Sequence, residues 1–169
     1  MERASGDMAL KIHIEALCHL RQVIAELNRA ILALSRTEVY QGWVSLLRTV
    51  PGISTLTAMI VLLELGEITR FPSLDQLCTY VGLIPDIRAS GEKEHVGGIT
   101  TRGHSYLRWL LVEASWVAVR KDPAMMEAFN EYCKRMKKSK AIIRIARKLL
   151  NRIRYVLKNQ AEYVACVIE

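Results

Sequence analysis

The 169-residue sequence is poor in turn-forming residues, since it contains only nine glycines and four prolines. A β-sandwich or β-barrel needs more turn residues than this, so the composition favours an all-α fold. Long apolar runs are also lacking. The unbroken apolar run at 58–63 is far too short for a membrane-spanning helix, which needs about 18 apolar residues or more. The sequence therefore predicts a helical protein with no membrane partner.

Paired cysteines and clustered metal ligands are lacking as well. The four cysteines are Cys18, Cys78, Cys133 and Cys166. Their spacing forms no C-x-x-C, which excludes a zinc ribbon or a disulfide framework and favours a reducing cytosol. The four histidines form no H-x-x-x-H pair, and the carboxylates are scattered. We therefore predict no metal site in this chain and no metal-dependent nuclease activity of the chain alone.

Acidic residues are missing from residues 134–158, which contain eleven lysines and arginines. The whole chain has a net charge of only +7, so the remainder is mildly acidic. A local basic block of this kind predicts a surface that binds a polyanion, nucleic acid in particular, and the alternative is a solvated helix face. The candidate phosphate ligands in this block are Lys140, Arg144, Arg147, Lys148, Arg154 and Lys158.

A heptad pattern occupies the first part of the chain. The a positions are Leu10, Leu17, Ile24 and Ile31, and the d positions are His13, Leu20, Leu27 and Leu34. This pattern predicts a coiled coil or long helical hairpin over residues 1–37, through which the chain would form a homo-oligomer. The alternative is one long helix packed on its own domain.

Helical periodicity and helix breakers divide the remainder into a helical domain at 38–137 and a basic amphipathic helix packed on it at 138–169. The predicted helices occupy 39–48, 56–65, 74–81, 104–121, 123–137 and 139–159. Pro51 and Gly52 break the first of these, and Ser54 or Thr55 would cap the next. This arrangement has the form of a helix-hairpin-helix element, in which backbone groups at Gly52 and Ser54 would meet a phosphate. A plain αα-corner is the equal alternative.

The least regular stretch, 84–103, predicts a functional Gly-rich loop or a short β-hairpin. Ser90 stands beside a glycine in this stretch, and Arg88, Lys93 and Arg102 lie near it in sequence. A serine hydroxyl that attacks a phosphodiester needs nearby cations to stabilise the charge of the transition state. Taken alone, however, a Ser-Gly pair is more often a simple turn.

An ordered series of short sequence motifs favours a functional role for this loop. The motifs are LRTVPGI at 47–53, ELGEITRF at 64–71, YVGLIP at 80–85, SG at 90–91, GITTRG at 98–103, LR at 107–108 and ARKLL at 146–150. Across about 46–157 this series resembles the C-terminal transposase domain of the DEDD-type insertion-sequence transposases, which are relatives of the pilin-inversion DNA invertases.

The resemblance implies that Ser90 is a nucleophile that forms a phosphoserine link to DNA, with Arg102 as a second site residue. It also implies that complete members contain a RuvC-like domain with acidic ligands for Mg²⁺ and a coiled coil, and that a structured RNA guides them. The sequence lacks the RuvC-like domain, so we expect a fragment or truncated product that is inactive alone.

The sequence is compatible with three functions. The first is an enzyme in which Ser90 attacks DNA once a metal-carrying partner domain completes the site. The second is a truncated, non-catalytic module that dimerises and holds DNA or RNA. The third and weakest makes Tyr106 the nucleophile, because Arg102, His104 and Arg108 flank it as in tyrosine recombinases.

Overall fold

A computed structural model describes the backbone of residues 2–90, 93–100 and 102–164, and the side chains of 6–85, 100 and 102–164. Within these ranges the chain forms α-helices, one 3₁₀ helix at Ile68–Arg70 and one pair of β-strands. The elements are α1 (Glu2–Leu34), α2 (Glu38–Arg48), α3 (Thr55–Leu65), α4 (Leu74–Val81), β1 (Pro85–Ser90), β2 (Lys93–Ile99), α5 (Ser105–Lys121), α6 (Pro123–Arg135) and α7 (Lys138–Asn159). The prediction of an all-α fold is confirmed, and the strand pair lies within the stretch 84–103, for which the sequence predicts a loop or a short β-hairpin.

Helix α1 is 33 residues long, or about 50 Å, and stands almost free of the domain. Its apolar seam is open to solvent, since Leu10, Leu20 and Leu27 are 60%, 57% and 58% exposed. The last turns of α1 dock on the domain, where Ile31 packs against the core near α3. The alternative of a helix packed along its own domain is therefore wrong for residues 10–27.

Helix α7 lies at the centre of the core, where it contacts α2, α4, α5 and α6. Its predicted apolar stripe is buried throughout, comprising Ile142, Ala146, Leu149, Ile153 and Val156. Each large apolar side chain buried in this way contributes about 1.5–3 kcal/mol to folding. Because α7 packs against so many elements, it belongs to the same core as 38–137 and is not a separate layer added to it.

Local capping interactions set the helix ends close to where the sequence predicts them. The Ser54 hydroxyl accepts a hydrogen bond from the Thr57 N–H at 3.1 Å, and the Ser73 hydroxyl accepts one from Gln76 N–H at 3.2 Å. Gly82 ends α4 in the left-handed region, with φ of 81°. Every helix predicted within 38–159 is present, with ends that agree to within two residues.

The irregular stretch after α4 is organised as a β-hairpin. Strands β1 and β2 pair antiparallel, with Ser90 opposite Lys93 and Pro85 opposite Ile99. An irregularity in the register lies between Pro85 and Ile87. Ser90 is the last residue of β1, at the opposite end of the strand from Pro85.

Candidate nucleic-acid interface

The predicted basic face of α7 is only partly free to bind a ligand. Lys140, Arg144, Lys148 and Lys158 are exposed, whereas Arg147 and Arg154 are half-buried. Three of these cations, Lys140, Arg144 and Lys148, line a groove between α7, α4, α6 and the start of β1. They have no carboxylate partner among the described residues. This part of the face is therefore available to a phosphate.

Arg147 and Arg154 have partners within the chain. Arg147 Nη2 lies 3.1 Å from Asp75 Oδ1 at the start of α4, and Arg154 Nη2 donates to the Pro72 carbonyl at 2.9 Å. Both contacts hold α7 against the segment that leads into α4. Whether either arginine also meets a phosphate stays a prediction, but a structural role already explains its position.

A buried ion pair behind this face was not predicted from the sequence. Asp122 is fully buried and accepts hydrogen bonds from the N–H groups of Ala124 at 2.9 Å and Met125 at 3.3 Å. Its other carboxylate oxygen accepts hydrogen bonds from Arg152 and, at 3.0 Å, from the Tyr163 hydroxyl. The cluster ties the start of α6 to α7 and to the segment that follows α7.

The side chains of Ser90, Arg88 and Lys93 lie outside the described residues, so their predicted roles stay predictions. The base of their hairpin is described, and Arg108 holds it. Arg108 Nη1 donates to the Thr100 carbonyl at 2.8 Å and to the Gly82 carbonyl at 3.3 Å. A single guanidinium on α5 thus fastens the segments that enter and leave the hairpin.

Two glycines also fix the hairpin base. A Cβ added to Gly103 would lie 2.7 Å from the Cα of Gly82, and both glycines have positive φ angles. The two backbones therefore cross at a distance that no side chain permits. Arg102 stands beside this crossing; its N–H donates to the Thr100 hydroxyl at 3.1 Å, and its side chain is exposed. Arg102 is thus accessible to a ligand at the hairpin base.

His104, next to this crossing, already uses both ring nitrogens. Nδ1 accepts a hydrogen bond from the Leu107 N–H at 3.1 Å, which caps α5, and Nε2 lies 2.8 Å from Glu64 Oε2. A general base needs a ring nitrogen with a free lone pair. In this arrangement His104 has none to offer, so it is a structural residue and not a base for Ser90.

Tyr106 is exposed, although the helix that carries it is packed on the core. Its side chain is 50% exposed and its ring stacks on Trp109, with centroids 5.9 Å apart. This position leaves the phenol accessible.

The turn between α2 and α3 packs against α5. Gly52 has a φ of +92°, and a Cβ there would lie 2.3 Å from the Ala114 carbonyl oxygen. The Ser54 hydroxyl is engaged as the cap of α3. Close packing against α5 is enough to explain why residue 52 is a glycine. This explanation needs no bound phosphate and agrees with the αα-corner alternative. Phosphate contacts at Gly52 and Ser54 stay a prediction.

Cysteine chemistry offers no competing nucleophile at the hairpin base among the described side chains. Cys78 on α4 is buried, and burial raises the pKa of its thiol, although the nearby Arg147 acts in the opposite direction. A thiol with a raised pKa is mostly protonated at neutral pH and reacts slowly. Cys18, in contrast, is exposed on the distant helix α1.

Comparison with known proteins assigns a family to this fold. Residues 44–130, from the middle of α2 to α6, match the Transposase IS116/IS110/IS902 family. This stretch is more than half of the chain. The chain belongs to this transposase family.

Two of three individual relatives match over much more of the chain than the family stretch. The pilin gene-inverting protein of Moraxella bovis is 32% identical over 155 residues, which cover 84% of this chain and 47% of that protein. An insertion element IS110 protein of Streptomyces coelicolor is 25% identical over 160 residues, 94% of this chain and 40% of that protein. The transposase for insertion sequence element IS1111A of Coxiella burnetii is 37% identical over 73 residues, 43% of this chain and 20% of that protein. The chain thus spans less than half the length of each of these relatives.

The described part of this family member contains no group of three or more His, Cys, Asp or Glu side chains that could hold a metal ion. The Mg²⁺ that the resemblance implies therefore does not fit any set of described side chains. Among the described helices, none is long and apolar enough to cross a membrane.

Proposed function

We propose that this chain is the DNA-contacting part of a DNA recombinase in which Ser90 attacks a DNA phosphodiester. One observation carries the proposal: the exposed cations of α7 line a groove that also includes Pro85, the first residue of the strand leading to Ser90. Family membership supports it, as do relatives named as transposases and as pilin gene-inverting proteins.

The proposed chemistry is a transesterification. The Ser90 hydroxyl would lose its proton and form a new oxygen–phosphorus bond, while the bond from phosphorus to one deoxyribose oxygen breaks. The released oxygen takes up a proton, so one phosphodiester is exchanged for another and no reductant or oxidant is needed. Arg102, exposed at the hairpin base, would stabilise the extra negative charge of the transition state.

The remaining parts of the site would come from outside the described residues. His104 is committed to the cap of α5 and to Glu64, so the base must come from elsewhere. In the family that the sequence resembles, a RuvC-like domain carries acidic side chains for Mg²⁺, and a structured RNA guides the complex. We propose both as partners of this chain.

DNA binding by α7 is tested by the salt dependence of affinity for a duplex. Changing Lys140 and Lys148 together to alanine should lower the log–log salt slope by about 1.8, because each lost phosphate contact lowers it by about 0.9. Fluorescence anisotropy at salt concentrations from about 50 to about 200 mM measures this slope. Arg147 and Arg154 are avoided because they brace α7 against the segment around α4.

The matched control removes two positive charges, as many as the test variant does, from a different surface. Arg120 and Lys121 are exposed at the end of α5, and their double alanine variant should leave the slope almost unchanged. An unaltered slope in the Lys140/Lys148 variant, or an equal loss in both variants, would refute phosphate binding by α7.

We also propose that α1 joins two or more copies of the chain. Its a and d side chains are exposed along most of the helix, and an apolar seam of this length is normally covered by another helix. His13 in the seam donates to its own helix, at the Ala9 carbonyl 2.7 Å away. His13 is therefore a polar residue of the seam whose Nδ1 is already hydrogen-bonded within its own helix.

Light scattering of the intact chain should show at least a dimer. Leu20→Asp should yield a monomer, because it places a charge in the seam, whereas Gln22→Asp on the outer side of the same turn should not. His13→Leu should strengthen the oligomer. A variant that lacks part of α1 should retain Ile31, because Ile31 packs against the core of the domain. A monomeric intact chain would disprove this use of α1.

A second candidate function is a non-catalytic module that dimerises and holds nucleic acid. The absence of a metal-ligand cluster among the described side chains and the engaged state of His104 favour it for the chain on its own. The two functions share the α7 surface and differ only in whether Ser90 reacts.

A further inference from the structure

A groove on the described surface combines apolar and basic lining. It has a volume of about 730 Å³ and lies between α4, the start of β1, the end of α6 and α7. Leu74, Pro85 and Ile143 supply apolar surface from three different elements. This volume falls within the range of about 300–1,000 Å³ that holds small organic groups in proteins.

The charge of the groove is of one sign. Four cations line it, namely Lys140, Arg144, Arg147 and Lys148, and none of its lining residues within the described ranges is acidic. The carboxylate of Asp75, which pairs with Arg147, belongs to an 86% exposed side chain at the edge of this region. The groove therefore favours a ligand that is apolar in one part and anionic in another.

An aromatic ring and a guanidinium are held together in the groove. The guanidinium carbon of Arg144 lies 5.4 Å from the centre of the Tyr132 ring, and both residues line the groove. Surfaces that bind single-stranded nucleic acid pair aromatic rings, on which bases stack, with cations that follow the phosphates. Asn151, also in the lining, offers an amide that pairs well with a base edge.

We propose that this groove binds an unpaired nucleotide of the DNA substrate. The base would lie against Tyr132 and Ile143, with its phosphates on Lys140 and Lys148. A paired duplex can place phosphates on these lysines but cannot bring a base face to Tyr132, because its base faces are stacked inside and only base edges and phosphates reach the surface. The inference rests on the proposed function and adds the form of DNA that the chain recognises.

The position of the groove gives the contact a role in the reaction. Pro85 lines the groove and begins β1, and Ser90 ends it five residues later. Five residue steps of a strand span at most about 17 Å, the length of about five stacked nucleotides. A nucleotide held in the groove would therefore fix the register of the DNA strand relative to Ser90.

The test compares two DNA duplexes that differ only in one extrahelical thymidine. At fixed salt, the intact chain should bind the bulged duplex about tenfold more tightly than the paired one by fluorescence anisotropy, since stacking of one base on an aromatic ring supplies a gain of this order. Ile143→Trp, which fills the groove, and Tyr132→Ala should abolish this preference and change duplex affinity by less than about twofold. Tyr155→Ala, an exposed tyrosine outside the groove lining, should keep the preference.

A second measurement needs no variant. With 5-iodouracil at the extrahelical position, ultraviolet light should crosslink the wild-type protein at Tyr132, as mapped by mass spectrometry. A crosslink confined to Tyr106 or Trp109 would overturn the assignment to the groove. A stronger preference for the same bulge in RNA would overturn the assignment to DNA.

The outcomes separate this inference from the proposed function. Salt-dependent binding with equal affinity for the two duplexes would overturn the inference and leave the proposed function standing. No binding to any of the nucleic acids would overturn both.

Discussion

Replacing Asp122 by alanine is expected to lower the free energy of unfolding by about 3–5 kcal/mol, because it leaves the largely buried guanidinium of Arg152 without its partner. The substitution also removes the cap of α6, which accepts two backbone N–H groups, and the hydrogen bond from the Tyr163 hydroxyl. Urea unfolding followed by circular dichroism measures the loss.

The matched control is Asp75→Ala. Asp75 also pairs with an arginine of α7, Arg147, but its side chain is 86% exposed. Exposed ion pairs contribute about 0–1 kcal/mol, so this variant should unfold close to the wild type. A loss of less than about 1 kcal/mol in Asp122→Ala, or equal losses in the two variants, would show that the buried cluster does not hold α6 and α7 together.

Replacing Gly52 by alanine is expected to cost about 1–3 kcal/mol of folding free energy through overpacking alone, since the new Cβ would lie 2.3 Å from the backbone carbonyl oxygen of Ala114. Neither backbone can yield as a flexible side chain would. The φ of +92° adds strain for any residue with a Cβ. Thermal or urea unfolding of the variant, in the absence of DNA, gives the value.

Gly42 provides the control on the neighbouring helix. It lies inside α2 with no atom within 4 Å of the position that an added Cβ would take, so Gly42→Ala should stabilise the protein by about 0.5–1 kcal/mol. If Gly52→Ala were as stable as the wild type and lost only DNA affinity, the turn would serve phosphate binding and the packing explanation would be wrong.

The helices were predictable because their signals are local. Ser54, Ser73 and Gly82 stand at the ends of apolar repeats, and each caps its helix through atoms within a few residues of it. The buried stripe of α7 follows from the same periodicity. Short-range hydrogen bonds and a helical period suffice for such features.

The contacts that arrange the site were not predictable in this way. Arg152 appeared as one cation of a basic block, and only the fold brings Asp122, thirty residues earlier in the chain, against it. Arg108 likewise gains its role from carbonyls that the fold places beside it. The basic block therefore predicted a charged face correctly but could not separate the cations that brace α7 from those open to a ligand.

The apolar groove was missed for a related reason. Leu74, Pro85, Tyr132 and Ile143 come from four separate elements, and no spacing in the sequence connects them. The sequence alone does not distinguish Tyr132, near the end of α6, from the other tyrosines. Only the structure shows that the Arg144 guanidinium lies above its ring. Only an arrangement in three dimensions joins the apolar surface to the cations.

Covalent attachment of DNA to Ser90 tests the central claim most directly. The chain, joined to a RuvC-like domain of a family member, is incubated with Mg²⁺, guide RNA and end-labelled DNA, and the product is separated under denaturing conditions. We predict a labelled protein–DNA species that carries a phosphoserine at Ser90 and is absent from Ser90→Ala, which should still bind DNA within about twofold because a neutral hydroxyl adds little to phosphate binding. A species that persists in Ser90→Ala, or that disappears instead in Tyr106→Phe, would contradict the account.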